Sequence, residues 1–318
     1  MYKKELSGVF APVTTPFHED GSLDLDGLKK NMVFYANSTL HGYLALGSNG
    51  ENKSLVGEEK YQVLKTIIEN KGKNQFVMAG CIAESTYETI ELAKKAESFG
   101  ADFITLLPPS YFKSQMTDEA LERYFTDVAS SVSKPCLVYC APQFTGGITL
   151  SVNLVIELAK HPNIVGIKDS STGNINNYLL AAPDDFAVIA GSANFFVDAI
   201  RGGATGGILS LANVFPHIVV DLFDTFVEND YDKLFAKNKQ VLNLNKSISG
   251  KGGVSAVKAA MTLVGLVGGL PRLPLLPLKA QDLQELTETH NRLFQVYREQ
   301  VVEPNLLNER IVLGDDIE

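Results

Sequence analysis

Three short stretches carry side chains that can do chemistry together. In "NIVGIKDSS", residues 163–171, Lys168 follows Ile164, Val165 and Ile167, a β-branched run flanked by turn residues that reads as a buried strand. In "PCLVYCAP", residues 135–142, Tyr139 sits at the far end of another apolar run, and "GSNGEN", residues 47–52, sets Ser48 and Asn49 between glycines just past a third. Each has an ordinary reading. A lysine can stand past a strand end in water or pair with Asp169, a tyrosine can be a core residue with a bonded hydroxyl, and glycine turns are common. Together they suggest more. An amine facing a dry interior is poorly solvated as a cation, so its neutral form becomes available as a nucleophile. Such amines condense with ketones to imines, and a protonated imine withdraws electrons from the adjacent carbon. A neighbouring phenol can relay protons, and a glycine turn with two short polar side chains can cradle an anion. The implied chemistry makes or breaks a carbon-carbon bond beside a keto group, with no metal.

Positioning these groups requires strands. Short β-rich runs occur at 8–13, 42–46, 76–79, 103–107, 135–139, 164–168, 187–190 and 206–209, alternating with helical patterns. Among the helical patterns, "STYETIELAKKAESFGAD" has Ser85 or Thr86 as an N-cap and Gly100 as a C-cap. Eight strand-helix units give an α/β fold, the (β/α)8 TIM barrel. The run after the first strand, "VTTPF", has no G-x-G-x-x-G, which argues against an open dinucleotide-binding sheet. Barrel enzymes act at the carboxyl ends of their strands, where this chain places Thr14-Thr15, "GSNGEN", "PPSYF", Tyr139, Lys168, "GSANF" and Ile208-Leu209. Strand alternation predicts that Val165 and Ile167 face the helix layer. Ile164, Gly166 and Lys168 then face the axis with Leu137 and Tyr139, and Asp169 points away as a structural partner. The barrel is expected over residues 1–228. A helical extension follows over 229–318, with helices at 231–245, 254–266 and 279–301 and a proline-rich turn, "GGLPRLPLLPL", between the last two. No chemistry is expected of it.

Composition narrows the classes. A net charge of -9 over 318 residues, without a polybasic stretch, argues against a nucleic-acid surface. No run of about 18 apolar residues predicts a membrane span, and the amino terminus enters a strand-like run without signal or transit character, so a cytoplasmic location is expected. The three cysteines read as buried thiols, and the five histidines lack metal-ligand spacing. "RGGATGG" reads as tight turns rather than a phosphate site, and "SGKGG" lacks a P-loop frame.

These segments resemble the family that contains dihydrodipicolinate synthase and N-acetylneuraminate lyase, class I pyruvate-dependent aldolases on a (β/α)8 barrel. "GSNGEN" is similar to its G-x-x-G-E segment, "VYCAP" to its Y-N-x-P segment and "GIKDSS" to its Schiff-base lysine segment. "AGSANFF" and "GGATGGILSLANVFP" are similar to its last two strand ends, and the likeness runs from about Leu6 to Pro216. The resemblance implies Lys168 as the imine-forming residue, Tyr139 as the proton relay, and Ser48 and Asn49 as holders of the substrate carboxylate. It also implies Ile208 beside the pyruvyl group, Gly191 in the substrate site, and Tyr111 reaching across a subunit contact in a homotetramer built as a dimer of dimers. The implied ligand is a small keto acid, pyruvate, bound as a covalent imine without a cofactor. Two departures narrow the activity. Phe144 stands where the synthases carry an arginine for the carboxylate of aspartate semialdehyde, a contact phenylalanine cannot make. The Ser-Asn pair looks more like 4-hydroxy-2-oxoglutarate aldolase, which yields pyruvate and glyoxylate. Dihydrodipicolinate synthase, an N-acetylneuraminate lyase-like or sugar-acid dehydratase activity, and a non-catalytic keto-acid sensor stand as alternatives.

Overall fold

Eight strands pair in parallel and in chain order, with the first closing on the last, in the computed structural model, which describes residues 2–297. They are β1 (Gly8–Pro12), β2 (Gly42–Ala45), β3 (Phe76–Cys81), β4 (Phe103–Leu106), β5 (Cys136–Cys140), β6 (Ile164–Asp169), β7 (Ala187–Ala190) and β8 (Gly206–Ile208). Around them lie α1 (Leu25–Ala36), α2 (Gly57–Glu69), α3 (Thr86–Phe99), α4 (Asp118–Ser130), α5 (Val152–Leu158), α6 (Ile175–Ala181), α7 (Phe196–Arg201) and α8 (Pro216–Val227). The fold is the expected (β/α)8 barrel followed by further helices. Local signals act as the chemistry of caps requires: Ser85 accepts the Glu88 N–H at 3.2 Å, and Gly100 ends α3 with φ +93. No helix among the described residues is long and apolar enough to cross a membrane.

The barrel interior is filled below the site by Leu6, Phe10, Leu44, Met78, Phe103, Leu137, Val165, Ala187, Ile189 and Ile208. Val165 belongs to this inner set and Ile164 to the outer layer, the reverse of the expected faces. A β-bulge explains the reversal. Cys136 lies opposite Ile164 but Leu137 lies opposite Gly166, so Val165 is the extra residue and alternation restarts after it. Ile167 therefore packs outward and Lys168 turns to the axis, as expected. Glycine is needed in the bulge, because a Cβ at position 166 would lie 2.5 Å from the Ala187 carbonyl oxygen.

The extension follows the expected order of helices. The two helices expected first are present, the first running further than 245; they are labelled together α9 (Tyr231–Leu263) and meet at a kink where Gly253 takes φ +54 and ψ -135. The last described helix is α10 (Ala280–Tyr297), and the part of the expected helix beyond 297 lies outside the described residues. One face of α9 lies over the barrel mouth, with Lys258 and Met261 fully buried.

Candidate active site

Lys168 and Tyr139 are direct cross-strand partners on β6 and β5. Their side chains both enter the barrel mouth, with Lys168 Nζ 4.1 Å from the centre of the Tyr139 ring. Only 4 % of Lys168 and 2 % of Tyr139 is exposed. The phenol lies among Ile82, Leu107 and Ala141, and its hydroxyl is 3.5 Å from Ser170 Oγ. Burial pushes the phenol up, but the Lys168 charge and hydrogen bonds from Ser170, Ser48 and Lys168 outweigh it. The phenol is thereby held below its ordinary value. A phenol so placed can accept a proton more readily than an isolated one.

The loop after β2 forms a tight cup. Leu46 and Glu51 both take left-handed backbone angles, with φ 56 and 53. Between them, the Gly50 N–H bonds the Gly47 carbonyl and the Glu51 N–H bonds the Ser48 carbonyl, each at 3.1 Å. No backbone acceptor among the described residues takes the N–H of Ser48 or Asn49. The cup is braced from several sides. Thr15 Oγ1 donates to the Gly50 carbonyl at 2.8 Å, Asn52 Nδ2 donates to the Leu46 carbonyl at 3.0 Å, and Asn49 Nδ2 donates to Ser210 Oγ at 2.7 Å. Such a cup, with free N–H groups and two short polar side chains, suits a carboxylate.

Ser48, Asn49, Tyr139, Lys168, Gly191 and Ile208 line one cavity of about 970 Å³. Gly191 is there for space and strand pairing: its N–H donates to the Asp169 carbonyl at 2.7 Å, and a Cβ would lie 1.9 Å from Ser170 Oγ. Tyr111 is not among the lining residues. It is 80 % exposed, packed edge-on against Phe112, with its N–H bonded to the Glu84 carboxylate at 2.9 Å. Asp169 turns away from the axis, where its Oδ1 accepts the Ser171 N–H and hydroxyl at 3.0 and 2.6 Å. Phe144 lies at the outer rim with Gln143 and Asn194.

Two features were missed by reasoning from sequence. The cavity reaches the extension, where Asn245, Ser249 and residues around the Gly253 break complete the rim. Ser249 Oγ donates to Asn245 Oδ1 at 2.6 Å, and Asn245 Nδ2 donates to Asn194 Oδ1 at 2.9 Å, tying α9 to the loop after β7. Below this rim, Glu51 of the cup pairs with Lys258 of α9 at 2.5 Å, both side chains buried. The extension, of which no chemistry was expected, thus lines the cavity and is joined to the cup. A lysine amid the apolar run "VSAVKAAMTLVG" was the available signal.

Comparison with known proteins accords with this geometry. Residues 5–293 match the model of the dihydrodipicolinate synthetase family. The chain is 31 % identical over 257 residues to the Emericella nidulans "Probable 4-hydroxy-2-oxoglutarate aldolase, mitochondrial", covering 79 % of this chain and 83 % of that one. It is 33 % identical over 230 residues to the 4-hydroxy-tetrahydrodipicolinate synthase of Methanospirillum hungatei, covering 71 % and 78 %. Among solved structures, the chloride-inhibited dihydrodipicolinate synthase of Acinetobacter baumannii complexed with pyruvate superposes with a TM-score of 0.85 at 31 % identity, over 91 % of this chain and 99 % of that one. With its barrel, its buried lysine-tyrosine pair and a match across nearly all described residues, the chain belongs to the dihydrodipicolinate synthetase family and is a lyase of the class I aldolase kind.

Proposed function

We propose that Lys168 forms an imine with the 2-keto group of a pyruvyl substrate whose carboxylate rests on Ser48 and Asn49. The observation that carries this reading is the register pair Lys168–Tyr139 directly beside the cup. The amine adds to the keto carbon and water leaves. Tyr139, as the phenolate, takes the proton from the C4 hydroxyl, the C3–C4 bond breaks toward the protonated imine, and an aldehyde departs. The remaining enamine takes a proton at C3, and hydrolysis frees pyruvate and the amine. Pyruvate bound to the A. baumannii relative supports the pyruvyl half of this reading.

For the other half we propose 4-hydroxy-2-oxoglutarate, cleaved to pyruvate and glyoxylate. Support comes from the Ser-Asn pair and from the likeness to the E. nidulans protein, while Phe144 in place of an arginine for the carboxylate of aspartate semialdehyde bears against the synthase reading. Condensation of pyruvate with aspartate semialdehyde is the second reading, favoured by an equally near likeness to the M. hungatei synthase. The exposed Tyr111 beside Phe112 supports a homotetramer in which that tyrosine completes a neighbour's site.

Borohydride reduction in the presence of pyruvate should leave a covalent adduct on the Lys168 peptide, absent from Lys168→Ala. An unmodified wild-type protein, under conditions that trap a known aldolase, would sink the imine. A retro-aldol screen measuring pyruvate release should rank 4-hydroxy-2-oxoglutarate well above sialic acid. Comparable release from both would remove the substrate assignment.

A further inference from the structure

We infer that the buried Glu51–Lys258 ion pair is a positioning device for the carboxylate cup, so that α9 takes part in holding the keto acid through Lys258. The inference rests on the proposed binding of a substrate carboxylate by Ser48 and Asn49.

Burying two charges is a poor way to gain stability, since desolvation offsets most of their attraction and an apolar pair of similar volume often serves as well. What this pair supplies is geometry, because its atoms are held from several directions. Glu51 Oε1 lies 2.5 Å from Lys258 Nζ, and Oε2 accepts the Arg272 N–H at 2.9 Å. Lys258 Nζ also donates to the Leu270 carbonyl at 2.8 Å and stands 4.5 Å from the centre of the Phe17 ring. The Arg272 guanidinium covers the same ring at 4.3 Å and grips both carboxylate oxygens of Glu59 at 2.6 and 2.7 Å. The result is a fixed point between the barrel and the extension.

That point connects to the cup through one residue. Glu51 is left-handed, a conformation that costs energy for a residue with a side chain and persists where surroundings over-determine it. Its N–H donates to the carbonyl of Ser48. Fixing the Glu51 carboxylate therefore fixes the turn that aims Ser48 and Asn49. One turn further along α9, Met261 Sδ accepts from Thr14 Oγ1 at 3.2 Å, bracing the neighbouring loop from the same helix face.

The test measures borohydride trapping against ketone concentration, with pyruvate and with methyl pyruvate, whose ester carries no anionic carboxylate. Wild type, Lys258→Met and the double variant Glu51→Gln/Lys258→Met are compared, together with their unfolding temperatures. Expected is a rise of about tenfold or more in half-saturating pyruvate for both variants, with the trapping plateau kept and the half-saturation for methyl pyruvate little changed. The double variant should recover unfolding temperature relative to the single one, since no lone charge stays buried, yet keep the raised pyruvate requirement. An unchanged pyruvate half-saturation, or an equal rise for both ketones, overturns the inference. So does failure of both variants to fold, which would assign the pair to folding. A wild type that forms no adduct with either ketone refutes the Lys168 imine instead, so the two failures are distinguishable.

Discussion

Replacing Gly191 by alanine tests whether the β6 and β7 strand ends must meet as closely as they do. The added Cβ would lie 1.9 Å from Ser170 Oγ, 2.7 Å from the Asp169 carbonyl oxygen and 2.9 Å from Ser170 Cβ. A rotamer change of Ser170 cannot relieve all three, because one contact is to backbone and one to Cβ. Regaining ordinary contact requires the hydroxyl to move by about 1.5 Å and the end of β6 by about half an ångström. The first movement takes Ser170 away from the Tyr139 hydroxyl, and the second shifts the strand that carries Lys168 and lengthens the Gly191–Asp169 hydrogen bond. Overpacking of this kind costs ~1–3 kcal/mol of stability, while a misplacement of about 1 Å of reacting groups costs about 100-fold in rate and half of that about tenfold. Gly191→Ala should therefore remain folded, with a lowered unfolding temperature, and release pyruvate from its substrate about tenfold more slowly than wild type. Single-turnover pyruvate release and thermal unfolding read the two effects separately. A variant with wild-type turnover would refute the argument, because it would mean that the strand ends part without disturbing the lysine or the tyrosine.

Three further outcomes are expected. Ser170→Ala removes a hydrogen bond that holds the Tyr139 phenol down, so the phenol rises; if the phenolate takes the C4 hydroxyl proton, the ascending limb of the pH–rate profile moves to higher pH. Asp169 is pushed above its ordinary 3.8 by burial, against hydrogen bonds from Ser171 and Cys140. A carboxyl raised in the folded state contributes stability that is fully present below that ordinary value and is lost as pH rises through the folded one. Asp169→Asn should abolish this loss, so its denaturant midpoint in neutral buffer, measured relative to that in acidic buffer, should be higher than in wild type. Phe144→Arg restores a guanidinium at the rim, and condensation of pyruvate with aspartate semialdehyde should rise about tenfold, the size of one charge-assisted contact; unchanged condensation in a coupled assay would show that rim position to be unimportant.

Much of the barrel was legible because period-two apolar runs and helix caps are local signals. Ser85 and Gly100 announced both ends of α3, and the pairing of Lys168 with Tyr139 followed from strand ends alone. The β6 bulge was overlooked: Gly166 was its one signal, but a glycine within a strand marks either a bulge or a close backbone approach and does not give the face of Val165. Only the close approach of Ala187 to Gly166 decides it. Counting alternation from Ile164 gave the correct face for Lys168 because the bulge left the outward Ile167 and inward Lys168 in place while reversing the two residues before Gly166. Glu51 and Lys258 were hidden for a different reason. They lie far apart in sequence, and an ion pair across such a separation exists only once α9 has docked. Tyr111 marks a third boundary: it is exposed on this chain, so its role at a subunit contact belongs to the proposed assembly alone.

The division of charge around the cavity follows from these contacts and bears on which substrates can enter. Among the described lining residues the charged side chains are Glu51, Lys53 and Lys168. Glu51 is matched by Lys258, and Lys53 by Glu84 at 2.7 Å. No carboxylate among the described residues forms an ion pair with Lys168, and the neighbouring Asp169 carboxylate is turned to the outer side and bonded to Ser171. A resident carboxylate at this place would repel an anionic substrate. With Glu51 engaged by Lys258 of the extension, the place proposed for the substrate carboxylate at Ser48 and Asn49 holds no resident anion of this kind. On the proposed reading, the buried pair at the edge of the cup and the lysine at its centre, which faces Tyr139 rather than a carboxylate, are two sides of one arrangement: Glu51 is held by Lys258, away from the place proposed for the substrate's carboxylate.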